Sequence, residues 1–141
     1  MLDQVGIARR SPYALALLRI VSGLIFLEHG TQKFLGFPAG KASGAGWALD
    51  NPGAFAGIFE LTCGLLITIG LFTRPAAFLA SGTMAVAYWY AHAPQTFFPV
   101  NNGGDAAILY CFVFLYLVFA GPGVWSLDEV RSRTSATGPA A

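Results

Sequence analysis

Residues 13–33 read YALALLRIVSGLIFLEHGTQK, and this stretch decides how the chain folds. A helix crossing a bilayer needs about 20 mostly apolar residues, rising roughly 1.5 Å each through a hydrocarbon core ~30 Å thick. The stretch meets that length, and Ser11-Pro12 ahead of it reads as an N-cap and first-turn proline. Three further stretches qualify. One covers residues 54–72, entered through Asp50-Asn51-Pro52-Gly53. The next covers 75–93, after the tight turn Thr73-Arg74-Pro75, and must be an antiparallel neighbour of the one before it. The last covers 105–120 and stops at Gly121-Pro122-Gly123. None alternates strictly, and all are too long for strands. The expected fold is all-α: an integral membrane four-helix bundle, up-down-up-down, over residues 1–128, then a flexible polar tail at 129–141.

Composition agrees. Of 141 residues, 11% are charged, against roughly 25% in soluble proteins, and the mean hydropathy is +0.60. Eight basic and seven acidic side chains cannot cover the surface of so small a soluble domain. A free-standing soluble protein, a disordered chain and a basic nucleic-acid binder are excluded. The lipid bilayer is the first expected partner. Arg9, Arg10, Arg74, Arg131 and Arg133 flank one side of the predicted helices, whereas Lys33 and Lys41 alone flank the other, so both termini are expected on the cytoplasmic side. The first apolar stretch is too long for a cleaved leader and reads as a retained anchor. Cys63 and Cys111 fall inside predicted helices with no CxxC or zinc spacing, and read as small hydrophobes. The long glycine-rich loop at 35–53 reads as slack chain or as a lid over the outer face.

Ionisable groups inside such helices need a reason, since each costs about 2.5–3.5 kcal/mol near the bilayer centre on insertion scales. Helical rise places Arg19 about 9 Å from the cytoplasmic edge and Glu60 about 9 Å from the outer edge. Glu28, His29 and Lys33 lie near that outer edge, as do His92, Asn101, Asn102 and Asp105. At 100° per residue, Arg19, Ser22, Gly23, Phe26, His29 and Lys33 share one face, while Glu28 points away. Glu60 shares a face with Gly57, Cys63, Gly64 and Ile67. Ala77, Ser81 and Ala85 form a small-residue seam suited to helix association.

Each group has a structural reading beside the chemical one. Glu60 reads equally as an interhelical ion pair and as a proton-exchanging carboxyl. Arg19 reads as snorkelling to the inner headgroups, Lys33 and Asp105 as interfacial charges, and His29 and His92 as interfacial hydrogen-bonding groups. Trp47, Trp89 and Trp125 read as aromatic belts. In the chemical reading, Glu60 and His92 are candidate proton exchangers, and Arg19, His29, Lys33 and Asp105 are candidate substrate contacts. A quinone head group ranks first, because it needs hydrogen bonds at its oxygens and a nearby proton relay. A b-type haem between His29 and His92 ranks second. A metal held by Glu28 or Glu60 with both histidines ranks third, without the paired Glu-x-x-His motif of a di-iron bundle.

Five segments carry a resemblance. Leu18-Arg19 with His29-Gly30-Thr31-Gln32-Lys33, Glu60-Leu61 with Gly64-Leu65-Leu66, Gly70-Leu71-Phe72-Thr73-Arg74, Asn102-Gly103-Gly104-Asp105, and Gly121-Pro122-Gly123-Val124-Trp125-Ser126-Leu127-Asp128 resemble the DoxX family, in order, over residues 13–128. The resemblance implies a small four-helix protein of the bacterial or archaeal cytoplasmic membrane, in a family named for a subunit associated with quinol oxidase and thiosulfate–quinone oxidoreductase systems. It also implies that Arg19, His29, Lys33, Glu60, His92 and Asp105 are recurrent polar positions, Asp105 standing where many members carry Glu. Glu28 matches no motif position. The expected function is a membrane subunit or accessory protein of a quinone-linked oxidoreductase system, with redox-enzyme subunits or further copies of the chain as partners. The alternative is a non-enzymatic membrane scaffold or assembly factor recruiting a redox enzyme. A solute transporter is weaker, because four helices without an internal repeat line a pathway only as an oligomer.

Overall fold

The computed structural model describes residues 4–48 and 50–136, and among these there are helices and no strand. α1 (Gln4–Leu35) is followed by a loop, α2 (Pro52–Ile69) and α3 (Thr73–Ala87), which runs on into a π-helical turn (Tyr88–His92). After the one-turn α4 (Pro99–Asn102) come α5 (Asp105–Ala120) and α6 (Leu127–Ala136). α1 and α2 are long and apolar enough to cross a membrane. α5 is apolar throughout but has 16 residues, which rise about 24 Å.

Three boundaries differ from expectation. α1 begins well before Tyr13 and carries Pro12 in its interior. The carbonyl that loses its N–H partner there lies on an exposed stretch, where solvent or headgroups replace the bond. α2 ends at Ile69, because Gly70 turns left-handed (φ 68°) and the Leu71 N–H reaches back to the Leu66 carbonyl at 2.9 Å. The chain expected as a flexible tail starts as a helix: Ser126 Oγ accepts the Glu129 N–H, and Arg133 pairs with Glu129 at 2.6 Å one turn away. Residues 137–141 of that tail, like residues 1–3, lie outside the described residues.

The helices pair antiparallel. Gly23, Leu27, Gly30 and Phe34 of α1 meet Thr68, Gly64, Leu61 and Gly57 of α2 in turn. A Cβ on Gly30 would stand 2.6 Å from the Leu61 nitrogen, and one on Gly64 would stand 2.7 Å from the Leu27 nitrogen. Glycine therefore sets how closely these two backbones approach. On the other side, Arg74, Ser81 and Tyr88 meet Val118, Cys111 and Gly104. Ser81 Oγ donates to the Cys111 carbonyl at 2.9 Å, and Ala77 is buried. That part of the small-residue seam is therefore spent inside the chain, between α3 and α5, and is not a free face for another protein. The core joins the pairs, with Phe26 edge-on to Phe114 at 4.9 Å beside Ile67 and Leu117.

The core is apolar, but the exterior is apolar too, and two charged groups are buried within. Arg19 is 0% exposed and Glu60 4%, while Phe78, Phe112 and Phe119 face outward. At the end carrying the α2–α3 turn, three charged side chains close helix termini that lipid cannot satisfy. Arg19 donates to Ile67 and Thr68 carbonyls in the last turn of α2, and also to those of Pro122, Val124 and Trp125. Arg74 donates to the Val118 and Phe119 carbonyls at the end of α5. Asp128 accepts the Phe72 and Thr73 N–H groups at the start of α3.

Candidate functional site

The opposite end holds the long loop and the polar cluster. There the last turn of α1 crosses α2 at Gly57, where a Cβ would stand 3.2 Å from Lys33 Cδ. The bare backbone lets Lys33 reach Glu60, and Nζ lies 2.7 Å from both carboxylate oxygens. All the positions expected on the Glu60 face, Gly57, Cys63, Gly64 and Ile67, are buried with it.

A cavity of about 810 Å³ opens beside this pair, lined by the loop-end halves of α2 and α3 with contributions from α1 and α5. Its buried floor includes Glu60, Met84 and Ala107, and its polar lining includes His29, Lys33, His92 and Tyr110. His29 stands edge-on to the Tyr110 ring at 6.3 Å. Among the described residues, neither the His29 imidazole nor the Tyr110 hydroxyl has a hydrogen-bond partner, and both line the cavity.

His92 is aimed by its surroundings. The π-helical turn, closed by the Ala93 N–H on the Tyr88 carbonyl at 2.9 Å, adds a residue to the helical turn and shifts the ring relative to α3. His92 Nδ1 lies 2.9 Å from the Asn102 carbonyl. A carbonyl only accepts, so Nδ1 donates this bond, and in the neutral imidazole the lone pair then falls on Nε2. Asn102 is itself held: its side chain is buried, donates to the Thr96 carbonyl and accepts the Gly104 N–H, both at 2.8 Å.

Of the expected site residues, His29, Lys33, Glu60 and His92 line one cavity. Two do not join it. Arg19 does not line the cavity or extend outward as a snorkelling side chain: it is fully buried at the far end with its donors spent on carbonyls. Asp105 is exposed at the first position of α5, where its charge favours the helix N-terminus, and it does not line the cavity. Glu28 is exposed and also lies outside the lining. Tyr110 was missed by sequence reasoning, because one tyrosine in an aromatic run carries no signal until α1 is seen to pass α5. Asp50, read as a helix entry, lines the cavity as well. Among the described residues, no three His, Cys, Asp or Glu side chains are grouped to hold a metal ion. The loop packs onto α1, where Trp47 Nε1 donates to the Phe34 carbonyl at 2.7 Å.

Comparison with known proteins places this chain among membrane proteins. The DoxX family model matches residues 14–93. An uncharacterized protein of Haemophilus influenzae is 47% identical over 121 residues, covering 84% of this chain and 90% of its own length. An uncharacterized membrane protein of Mycobacterium tuberculosis is 31% identical over 90% of this chain and 87% of its own. The inner membrane protein YphA of Escherichia coli is 32% identical over 88% of this chain and 93% of its own. No solved structure gives a significant match.

Proposed function

The chain belongs to the DoxX family of membrane proteins, and on that premise we propose that it is a membrane subunit or accessory protein of a quinone-linked oxidoreductase system. The observation that carries this reading is the cavity that joins an apolar wall to Glu60, His29, His92 and Tyr110. A quinone is a neutral ring with oxygens at two ends. The Lys33–Glu60 pair cancels its own charge, which suits a neutral ring better than a charged head. Its redox chemistry would be supplied by the quinone itself. The chain's part is to bind and to move protons: the Tyr110 hydroxyl donates to a ring oxygen, His29 contacts a second polar edge, and His92 Nε2 accepts a proton. Glu60, held by Lys33, is the carboxyl through which that proton leaves.

In this reading the chain crosses the inner membrane four times, up-down-up-down, with both termini cytoplasmic. The antiparallel pairs support it, and so does the span from Thr73 to His92, about 30 Å of helical rise with the π-helical turn included. Arg9, Arg10, Arg74, Arg131 and Arg133 then lie at the cytoplasmic end, and the cavity lies toward the outer leaflet.

The test is native mass spectrometry of the protein gently solubilised from its own membrane. A quinone-sized increment is expected on the wild type and is expected to be lost from Glu60→Gln and His92→Ala proteins that remain folded. A haem-sized increment, a bare chain, or quinone binding that the two substitutions leave unchanged would overturn the proposal.

A further inference from the structure

The cavity is not closed by protein on every side. The residues that α2 and α3 turn toward each other across it are themselves outward-facing: Phe55 and Phe59 on α2, Phe78, Leu79 and Val86 on α3. Phe78 is 64% exposed and Val86 67%, yet both line the same space as Glu60, which is 4% exposed. The space therefore grades from an outer wall, in contact with whatever surrounds the protein, to a buried polar floor. One side of it runs along two apolar helices.

Gly82 sits in the middle of this wall. Glycine inside a helix costs about 0.5–1 kcal/mol relative to alanine, and the other helix glycines described above repay that cost by close contact with a neighbouring helix. Gly82 does not: a Cβ there would meet nothing within 4 Å. What it leaves is empty space in the lining of the cavity. One residue on, Thr83 spends its hydroxyl proton on the Leu79 carbonyl at 2.8 Å, so it has no donor left for the gap.

We propose that the ligand of this cavity enters sideways from the lipid between α2 and α3, and that it carries an apolar tail which stays in that gap. Gly82 keeps the gap wide enough for the tail. This rests on the quinone reading and narrows it: the substrate class is a lipid-soluble quinone bearing a side chain, with its ring at the polar floor and its tail against Phe59, Leu79 and Gly82. A tail adds little packing energy over lipid, which is equally apolar. Its effect is to confine the ring to the phase from which the gap opens.

The experiment uses the full chain in lipid nanodiscs and two probes, 2,3-dimethoxy-5-methyl-benzoquinone and its decyl derivative, with retained ligand counted by native mass spectrometry. Wild type is expected to retain the decyl compound and not the tailless one. Gly82→Trp fills the gap, and overpacking of this kind is expected to lower retention of the decyl compound by about tenfold or more. Val86→Trp, on the same wall, gives a second reading in case Gly82→Trp does not fold. Leu109→Trp, at an exposed α5 position outside the lining, is expected to change nothing. Equal retention of both probes by wild type, or undiminished decyl binding by folded Gly82→Trp and Val86→Trp proteins, would overturn the lateral path and leave the quinone site standing. Retention of neither probe would overturn the quinone reading, and this inference with it.

Discussion

Lys33 Nζ stands 2.7 Å from both carboxylate oxygens of Glu60, yet the two partners are not equally buried: the lysine side chain is 18% exposed and the glutamate 5%. The pair thus bridges the inside of the helix packing and the mouth of the cavity. Its components are asymmetric in what they leave behind when the other is removed.

That asymmetry predicts an order of stabilities. Lys33→Met strands a buried carboxylate, a loss of about 3–5 kcal/mol for a fully buried pair. Glu60→Gln leaves an ammonium that can turn toward the mouth, and is expected to cost less. The double substitution Lys33→Met/Glu60→Met is expected to be more stable than Lys33→Met alone. Thermal unfolding in detergent checks the order, and a Glu60→Gln protein less stable than Lys33→Met would contradict it.

Glycine positions are predicted to split by what surrounds them. Gly82→Ala meets open space and is expected to stabilise α3 by about 0.5–1 kcal/mol. Gly30→Ala pushes a methyl group to 2.6 Å from the Leu61 backbone nitrogen and is expected to separate α1 from α2. Unfolding midpoints of the two variants should move in opposite directions.

Arg19→Lys is predicted to fail as a conservative change. The guanidinium reaches carbonyls from residues 67 to 125, and a single ammonium has neither the fork nor enough donors for them. Expected results are a lower unfolding midpoint and faster proteolysis at 122–125. An Arg19→Lys midpoint equal to wild type would show that these carbonyls find other partners.

Asp128 is predicted to make the turn end sensitive to acid. Burial pushes this carboxyl upward, but the N–H groups of Thr73 and Phe72 and the charge of Arg131 outweigh it and hold the group below its ordinary value. A carboxyl lowered in the folded state contributes stability above its unfolded value of about 4 and loses it as pH falls through the folded value. Wild type should lose stability as pH falls below about 4. Asp128→Asn should start lower at neutral pH and show a shallower decline. Parallel pH curves for the two proteins would show that other carboxylates dominate.

Much of this protein is local in origin and was legible before any tertiary contact was known. Apolar length identified the helical stretches, and the 100° step put Gly57, Glu60, Cys63, Gly64 and Ile67 on one buried face of α2. Counting rise along the helices brought His29, Lys33, Glu60 and His92 to the same half of the bundle, and these four line the cavity. Such properties depend on a residue's near neighbours in the chain. The Gly70 turn shortened α2, and the Ser126 cap started α6. Both were harder to see, because a terminus is settled by one or two hydrogen bonds.

Other features depend on which helix lies beside which, and periodicity is blind to that. Depth alone suggested that Arg19 reaches for headgroups or substrate. Its donors instead close the end of α2 and hold residues 122–125, because the chain returns there after α5. The Ala77–Ser81 seam looked available to a partner until α5 was found lying on it. Tyr110 enters the site by the passage of α1 beside α5, and the gap at Gly82 exists between two helices and belongs to neither alone. Sequence by itself determined the membrane character, the helices and the order of the polar groups along them, since these follow from local hydropathy and helical rise. The tertiary structure alone decided the pairing of the charges and which helices line the cavity, because both require contacts between residues far apart in the chain.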